Sequence, residues 1–139
     1  MAAPLPNIDV YHRERSKLID AFAQIEMALV RGIAKKSDGG RSGTLGTRIK
    51  AFRDAYPQLS VAAAQCLDDV ANLNELRTDI VHGVLSLTDE CGRRYAVFSN
   101  ARDASKDLQS ARRMELAAIK RTIEKLVNCA TTIENIAKR

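Results

Sequence analysis

The chain has 139 residues, 45% of them apolar and 28% charged, which fits a single domain and is too apolar for a disordered polymer. Its 22 basic and 17 acidic residues leave a formal charge of +5 and a pI near 9.3, a balance open to polyanionic partners yet carried by many ordinary proteins. No apolar run approaches the roughly 18 residues that a membrane span needs, and the start lacks the basic region and apolar run of a secretory signal, so a cytoplasmic protein with no membrane partner is expected.

With no Trp, three Phe and three Tyr, a core must be built from Leu, Ile, Val and Ala, which suits interdigitating helices. Cys66, Cys91 and Cys129 are odd in number and far apart, and they lack Cys-x-x-Cys spacing. Neither a disulfide framework nor a zinc site is indicated, and reduced structural cysteines are expected.

After a short Pro-containing arm, Asn7 or Asp9 can cap a helix over residues 9–36, whose Leu18, Phe22, Ile25, Leu29 and Ile33 fall on one face. Lys35 and Lys36 followed by Ser37 to Gly40 signal its end, and the loop runs to about Gly43. Thr44 can cap a shorter helix with Leu45, Ile49 and Phe52 on one face, closed by Pro57. Arg48, Lys50 and Arg53 point mostly away from that face and, with Arg41, form the densest basic stretch of the first half. They are candidates for weak nucleic-acid contact, beside the plainer reading of a solvated surface.

Ser60 can cap one central helix in which Leu59, Ala63, Cys66, Val70, Leu73, Arg77, Ile80 and Val84 step by three and four residues, as a bundle seam does. Arg77 interrupts that apolar row, and a charge there must find a carboxylate, a ligand or a wet interface. Gly83 can terminate the helix. Beyond it, residues 84–88 and 94–98 read as short strands of a hairpin flanking Asp89 to Arg93. Asp103 or Ser105 can begin the last helix, in which Leu116, Ile119, Ile123, Leu126, Ala130, Ile133 and Ala137 alternate by three and four nearly to the end. Arg112, Arg113, Lys120, Arg121 and Lys125 would occupy its other faces. The expected fold is therefore all-α: an up-and-down bundle of three long helices and one short helix, in one domain over residues 1–139, with a small β-hairpin after the central helix.

Candidate chemistry concentrates in Leu73 to Gly83. Arg77 and His82 are the only nearby pair able both to stabilise a phosphate and to move a proton near neutrality, given a histidine's ordinary pKa of about 6.5. Ser37 to Gly46 holds four glycines but lacks the Gly-Lys-Ser/Thr ending of a phosphate-binding loop. His12 and His82 stand alone rather than in paired spacing, so no metal or cofactor is expected.

Arg77-x-x-x-x-His82, on a helix ending in His-Gly, resembles the signature of the HEPN superfamily (higher eukaryotes and prokaryotes nucleotide-binding domains). The wider pattern is similar over residues about 9–138: Ile25-Glu26-x-Ala28-Leu29 in a long first helix, Leu45-Gly46-x-x-Ile49-Lys50 opening the next, Leu73-x-x-Leu76-Arg77 before Ile80-Val81-His82-Gly83, a hairpin and a long last helix. A more distant likeness is to mannitol-operon-repressor-like proteins. The resemblance implies a homodimer joined through the motif helices and, in active members, metal-independent RNA cleavage of the toxin or defence type. Arg77 and His82 would be the catalytic pair, and a cognate antitoxin or nucleotidyltransferase-like protein a partner. Where family members often carry Asn, Asp or His after the Arg, this chain has Thr78 followed by Asp79, which become the supporting residues. The runner-up is a noncatalytic module binding RNA, a nucleotide or a regulatory protein through the same cleft.

On one ideal helix, five residues at about 100° each place Arg77 and His82 roughly 140° apart. A site therefore needs a second chain, a break in the helix near Val81, or the long Arg77 side chain wrapping round the helix. Asp79, three residues before His82, is a candidate to orient the imidazole. The purely structural alternative is that His82 complements the helix dipole and Arg77 pairs with Glu26 or Glu115.

Overall fold

The structure is a computed structural model that describes residues 4–37, 43–100 and 112–138. Among these it is mostly helical, with helices α1 (Ile8–Ala34), α2 (Leu45–Ala55), α3 (Val61–Asn72), α4 (Asn74–His82) and α5 (Leu116–Ala137). Strands β1 (Val84–Glu90), β2 (Arg93–Ser99) and β3 (Arg112–Met114) form one antiparallel sheet in that order. No helix of the described residues is long and apolar enough to cross a membrane.

The capping residues expected from the sequence are in place. Asn7 Oδ1 accepts from the Val10 amide at 3.2 Å, Thr44 Oγ1 from Thr47 at 3.2 Å and Ser60 Oγ from Ala63 at 3.1 Å, each satisfying an otherwise orphaned helix-start donor. Pro57 lies just past α2, whose last turn closes through the Tyr56 amide on the Phe52 carbonyl at 3.0 Å.

Two elements depart from expectation. The central helix is not continuous: the Leu73 amide reaches back only three residues, to the Val70 carbonyl at 3.1 Å, and α4 restarts at Asn74. Asn72 and Asn74 flank the break, and asparagine is a poor helix-interior residue because its side chain competes for backbone hydrogen bonds. After the restart the buried residues are Leu76, Asp79 and Ile80, while Val84 leaves the seam for β1 and is 72% exposed. The break thus lies before the motif, and α4 stays helical through Val81. The second departure is β3. Residues 112–114 pair with β2 through Ala96↔Met114, Val97↔Arg113 and Phe98↔Arg112, so the last helix begins at Leu116. The proposed starts at Asp103 and Ser105 lie outside the described residues.

The hairpin is longer and tighter than expected. Its strands run in register from Val84↔Ser99 to Glu90↔Arg93, leaving only Cys91 and Gly92 as the loop. Both have positive φ, 51° and 78°, the pairing that a twist-compatible two-residue turn demands. At the facing pair Asp89↔Arg94 the guanidinium donates to both carboxylate oxygens, at 2.7 and 2.8 Å. That hydrogen bond holds the Asp89 carboxyl below its ordinary range. The pairing therefore stabilises the hairpin at neutral pH and is lost as acid protonates Asp89.

The chain divides into two compact units, one of Met1–Ile19 and Glu75–Ile123, the other of Asp20–Asn74 and Glu124–Arg139. The first holds the sheet and buries Tyr11, Leu18, Ile80, Ala96, Phe98 and Ile119. The second is helical and buries Phe22, Ile25, Leu29, Phe52, Leu67 and Leu126. In it, Gly32 lets α1 approach α2 closely: an added Cβ would stand 2.6 Å from the Phe52 ring, and the Tyr56 hydroxyl donates to the Gly32 carbonyl at 2.8 Å. Phe52 is fully buried and stacks on Tyr56 at 4.7 Å between ring centroids. Phe52→Ala is expected to lower stability by about 3–5 kcal/mol in urea unfolding. Val61→Ala, at a residue 89% exposed, should shift it by less than about 0.5 kcal/mol.

Candidate functional site

The motif stretch folds as α4 and the start of β1, within the sheet-containing unit from Glu75 onward. A nine-residue helix is too short to hold itself in water, so its shape must come from its surroundings. Two side chains supply this. The Arg15 guanidinium, from α1, donates to the Ile80 carbonyl through Nε at 3.0 Å and Nη2 at 2.5 Å, and to the Gly83 carbonyl through Nη2 at 2.7 Å. Carbonyls in the last turn of a helix have no amide ahead of them, and a cation there also meets the negative end of the dipole. The same guanidinium lies 5.9 Å from the centroid of the Phe98 ring.

Gly83 closes the turn with its amide on the Asp79 carbonyl at 2.8 Å. Its requirement is steric: a Cβ here would lie 2.2 Å from the Asp79 carbonyl oxygen and 3.4 Å from Phe98 Cβ.

The second support is Asp79, which is 4% exposed. Its Oδ1 accepts from Asn100 Nδ2 at 2.6 Å and its Oδ2 from Arg112 Nε at 2.8 Å. Asn100, just past β2, is itself buried, and Arg112 begins β3, so one carboxylate ties α4 to both strands. A buried carboxylate is tolerable only when its oxygens are satisfied in this way. Asp79 is thus committed to packing, and its two named partners are Asn100 and Arg112 rather than the imidazole of His82. Arg112 lies on a strand and not on a face of the last helix.

Arg77 is half-buried and, like Thr78, engaged by neighbouring groups. His82 is exposed at the last position of α4, between the exposed Val81 and the buried Gly83. Because α4 is regular from Asn74 to His82, Arg77 and His82 keep their angular separation of roughly 140°. The structure places both on one short helix and does not bring them onto one face. Of the two carboxylates named as partners for Arg77, Glu115 binds Arg93 at 3.2 Å, while Glu26, 3.5 Å from Arg48, makes further contacts, as Arg77 does.

Of the basic residues on α2, Arg48 is engaged with Glu26, and Arg53 donates to Asp68 at 2.5 Å and to the Ala64 carbonyl at 3.4 Å. Lys50 is exposed. Arg41 lies outside the described residues.

Sequence reasoning missed Arg15, although its sign was present. Arg15 stands four residues after Tyr11 and three before Leu18, both buried, so it interrupts the apolar stripe of α1 as Arg77 interrupts the central one. Arg15→Ala is expected to cost about 1–3 kcal/mol and to raise amide exchange selectively in residues 80–84. Arg15→Lys should recover only part, because one ammonium lacks the forked geometry that spans two carbonyls. Asp79→Asn keeps an acceptor for Asn100 but turns an amide toward Arg112; a loss of about 2 kcal/mol is expected in denaturant unfolding.

No family model matches the chain, and comparison with curated proteins and with solved structures gave no match.

Proposed function

We propose that the chain is a HEPN-like helical protein whose helices assemble as an up-and-down bundle and which acts as a homodimer. Its activity is metal-independent cleavage of RNA, of the toxin or defence type, with an antitoxin or nucleotidyltransferase-like protein as the cognate partner. The observation that carries this reading is the regular α4, which displays an exposed His82 at its end and holds Arg77 on another face of the same helix.

In such a site the His82 imidazole of one protomer transfers a proton to or from the ribose 2′-hydroxyl or the leaving oxygen. Arg77 of the other protomer stabilises the charge that develops on the phosphoryl oxygens. Twofold symmetry answers the phase problem, since two copies of one helix offer opposite faces to a shared cleft. Thr78, next to Arg77, supplies a hydroxyl that can donate to a phosphate oxygen.

Purified protein incubated with RNA in EDTA should cleave it, and His82→Ala and Arg77→Ala should each reduce the rate by about 10²-fold or more. Mixing the two inactive variants is the sharper measurement. A heterodimer of them contains one site with both residues and one with neither, so complete re-assortment should restore about a quarter of wild-type activity. Cleavage that persists in both single variants overturns the assignment, and variants that are each inactive but do not complement overturn the shared site.

A second reading is a noncatalytic module binding RNA, a nucleotide or a regulatory protein. The commitment of Asp79 to Asn100 and Arg112 favours it, because an orienting carboxylate for the histidine is then missing from the nearest position. RNA bound but left intact under every condition would select this reading.

A further inference from the structure

The helical unit brings together two of the three cysteines. Cys66 on α3 and Cys129 on α5 stand beside each other: Cys129 Sγ lies 3.9 Å from the Cys66 carbonyl oxygen. One turn away along the same pair of helices, Lys125 Nζ stands 3.6 Å from Asp69 Oδ2, so the antiparallel register holding the sulfurs together is supported at a second point. Cys129 is buried and Cys66 is half-exposed. Cys91, the third cysteine, is exposed at the tip of the hairpin.

We propose that Cys66 and Cys129 form a reversible redox pair, oxidised to an intramolecular disulfide by low-molecular-weight disulfides of the glutathione class. The Cys66 thiolate attacks one sulfur of the small disulfide, forming a mixed disulfide and expelling one glutathione thiolate. Cys129, once deprotonated, attacks the Cys66 sulfur, the protein S–S bond forms, and the second glutathione thiolate leaves. The two protons lost by the protein are taken up by the two departing thiolates. Two protein thiols are oxidised by two electrons and one small disulfide is reduced to two thiols.

Order of attack follows from access and charge. A reagent can reach the half-exposed Cys66 but not the buried Cys129. Burial, with the Cys66 thiol and Asp69 beside it, pushes the Cys129 thiol up to about 12, so it waits as a thiol until the mixed disulfide is already next to it. The second step accordingly quickens as pH rises. The Cys129 sulfur already reaches the Cys66 backbone, at 3.9 Å, so the bond closes by turning the Cys66 side chain toward it into the ordinary dihedral of a disulfide. The bond would enclose residues 67–128, 62 residues in all, which include the whole Arg77 to His82 stretch.

The full chain is incubated with glutathione redox buffers, and its intact mass and proteolytic peptides are measured. Wild type should gain a single glutathionyl group, on Cys91, and lose two hydrogens through a bond joining the Cys66 and Cys129 peptides. Cys129→Ala should carry glutathione on both Cys66 and Cys91, and Cys66→Ser should leave Cys129 reduced. The oxidised wild type should unfold at a higher temperature than the reduced form. Circular dichroism on each variant establishes that it is folded. A lasting glutathione adduct on Cys66 of folded wild type overturns the pair, as does a Cys66 that reacts with no buffer, or a linkage that forms only in denaturant.

Discussion

The capture of the α4 C-terminus by Arg15 is the interaction on which the candidate site depends. A nine-residue helix cannot nucleate and persist by itself, and this one ends where three consecutive demands meet. The chain must stop being helical, turn into a strand two residues after His82, and leave no carbonyl of the last turn stranded. Gly83 meets the steric demand by leaving empty the space that a Cβ would contest with the Asp79 carbonyl oxygen. Arg15 meets the polar one, with one planar side chain on two carbonyls at once. An arginine reaching in from another helix thus sets a cation on the carbonyls of that end, and His82 stands beside it at the surface.

Asp79 fixes the same helix through Asn100 and Arg112, and the two supports have different energetics. Arg15 recovers hydrogen bonds that the helix end would otherwise lose to burial, at the modest net gain usual for such exchanges. Asp79 carries a full charge where only 4% of its surface is left to water, so it is tolerable only while both oxygens keep their donors. Removing one donor from such a group costs more than the paired group contributes to stability. Asp79 sets which residues of β2 and β3 stand beside α4: Asn100 follows one strand and Arg112 opens the other, and both converge on a single carboxylate.

What the sequence made legible was local. Asn7, Thr44 and Ser60 were recognisable as caps because capping is settled within four residues, and the turn at Cys91 and Gly92 was bracketed by β-branched and aromatic runs. The break at Leu73 was not legible from periodicity, since apolar residues continue at helical spacing straight through it. Only the flanking Asn72 and Asn74 hinted at it. For β3 the reason is different. Arg112 to Met114 has little strand propensity of its own, and it becomes a strand by pairing with β2 and by giving Arg112 to Asp79. Arg77 and His82 could be singled out as residue types; whether they form a site depends on what lies across from them, which no spacing along one chain encodes.

The break at Leu73 bears directly on that question. A single long helix could have offered relief from the phase difference between Arg77 and His82 by unwinding within the motif, near Val81. Instead the irregularity is spent four residues before Arg77, and the motif itself is locked at Asp79, Ile80 and Gly83. Bringing the two side chains onto one face would mean breaking the Gly83 amide to Asp79 carbonyl bond and releasing Arg15 from Ile80. Those losses, each on the order of 1 kcal/mol or more, fall on a segment with few other means of support. Intramolecular rearrangement is therefore a costly way to bring Arg77 and His82 onto one face of α4.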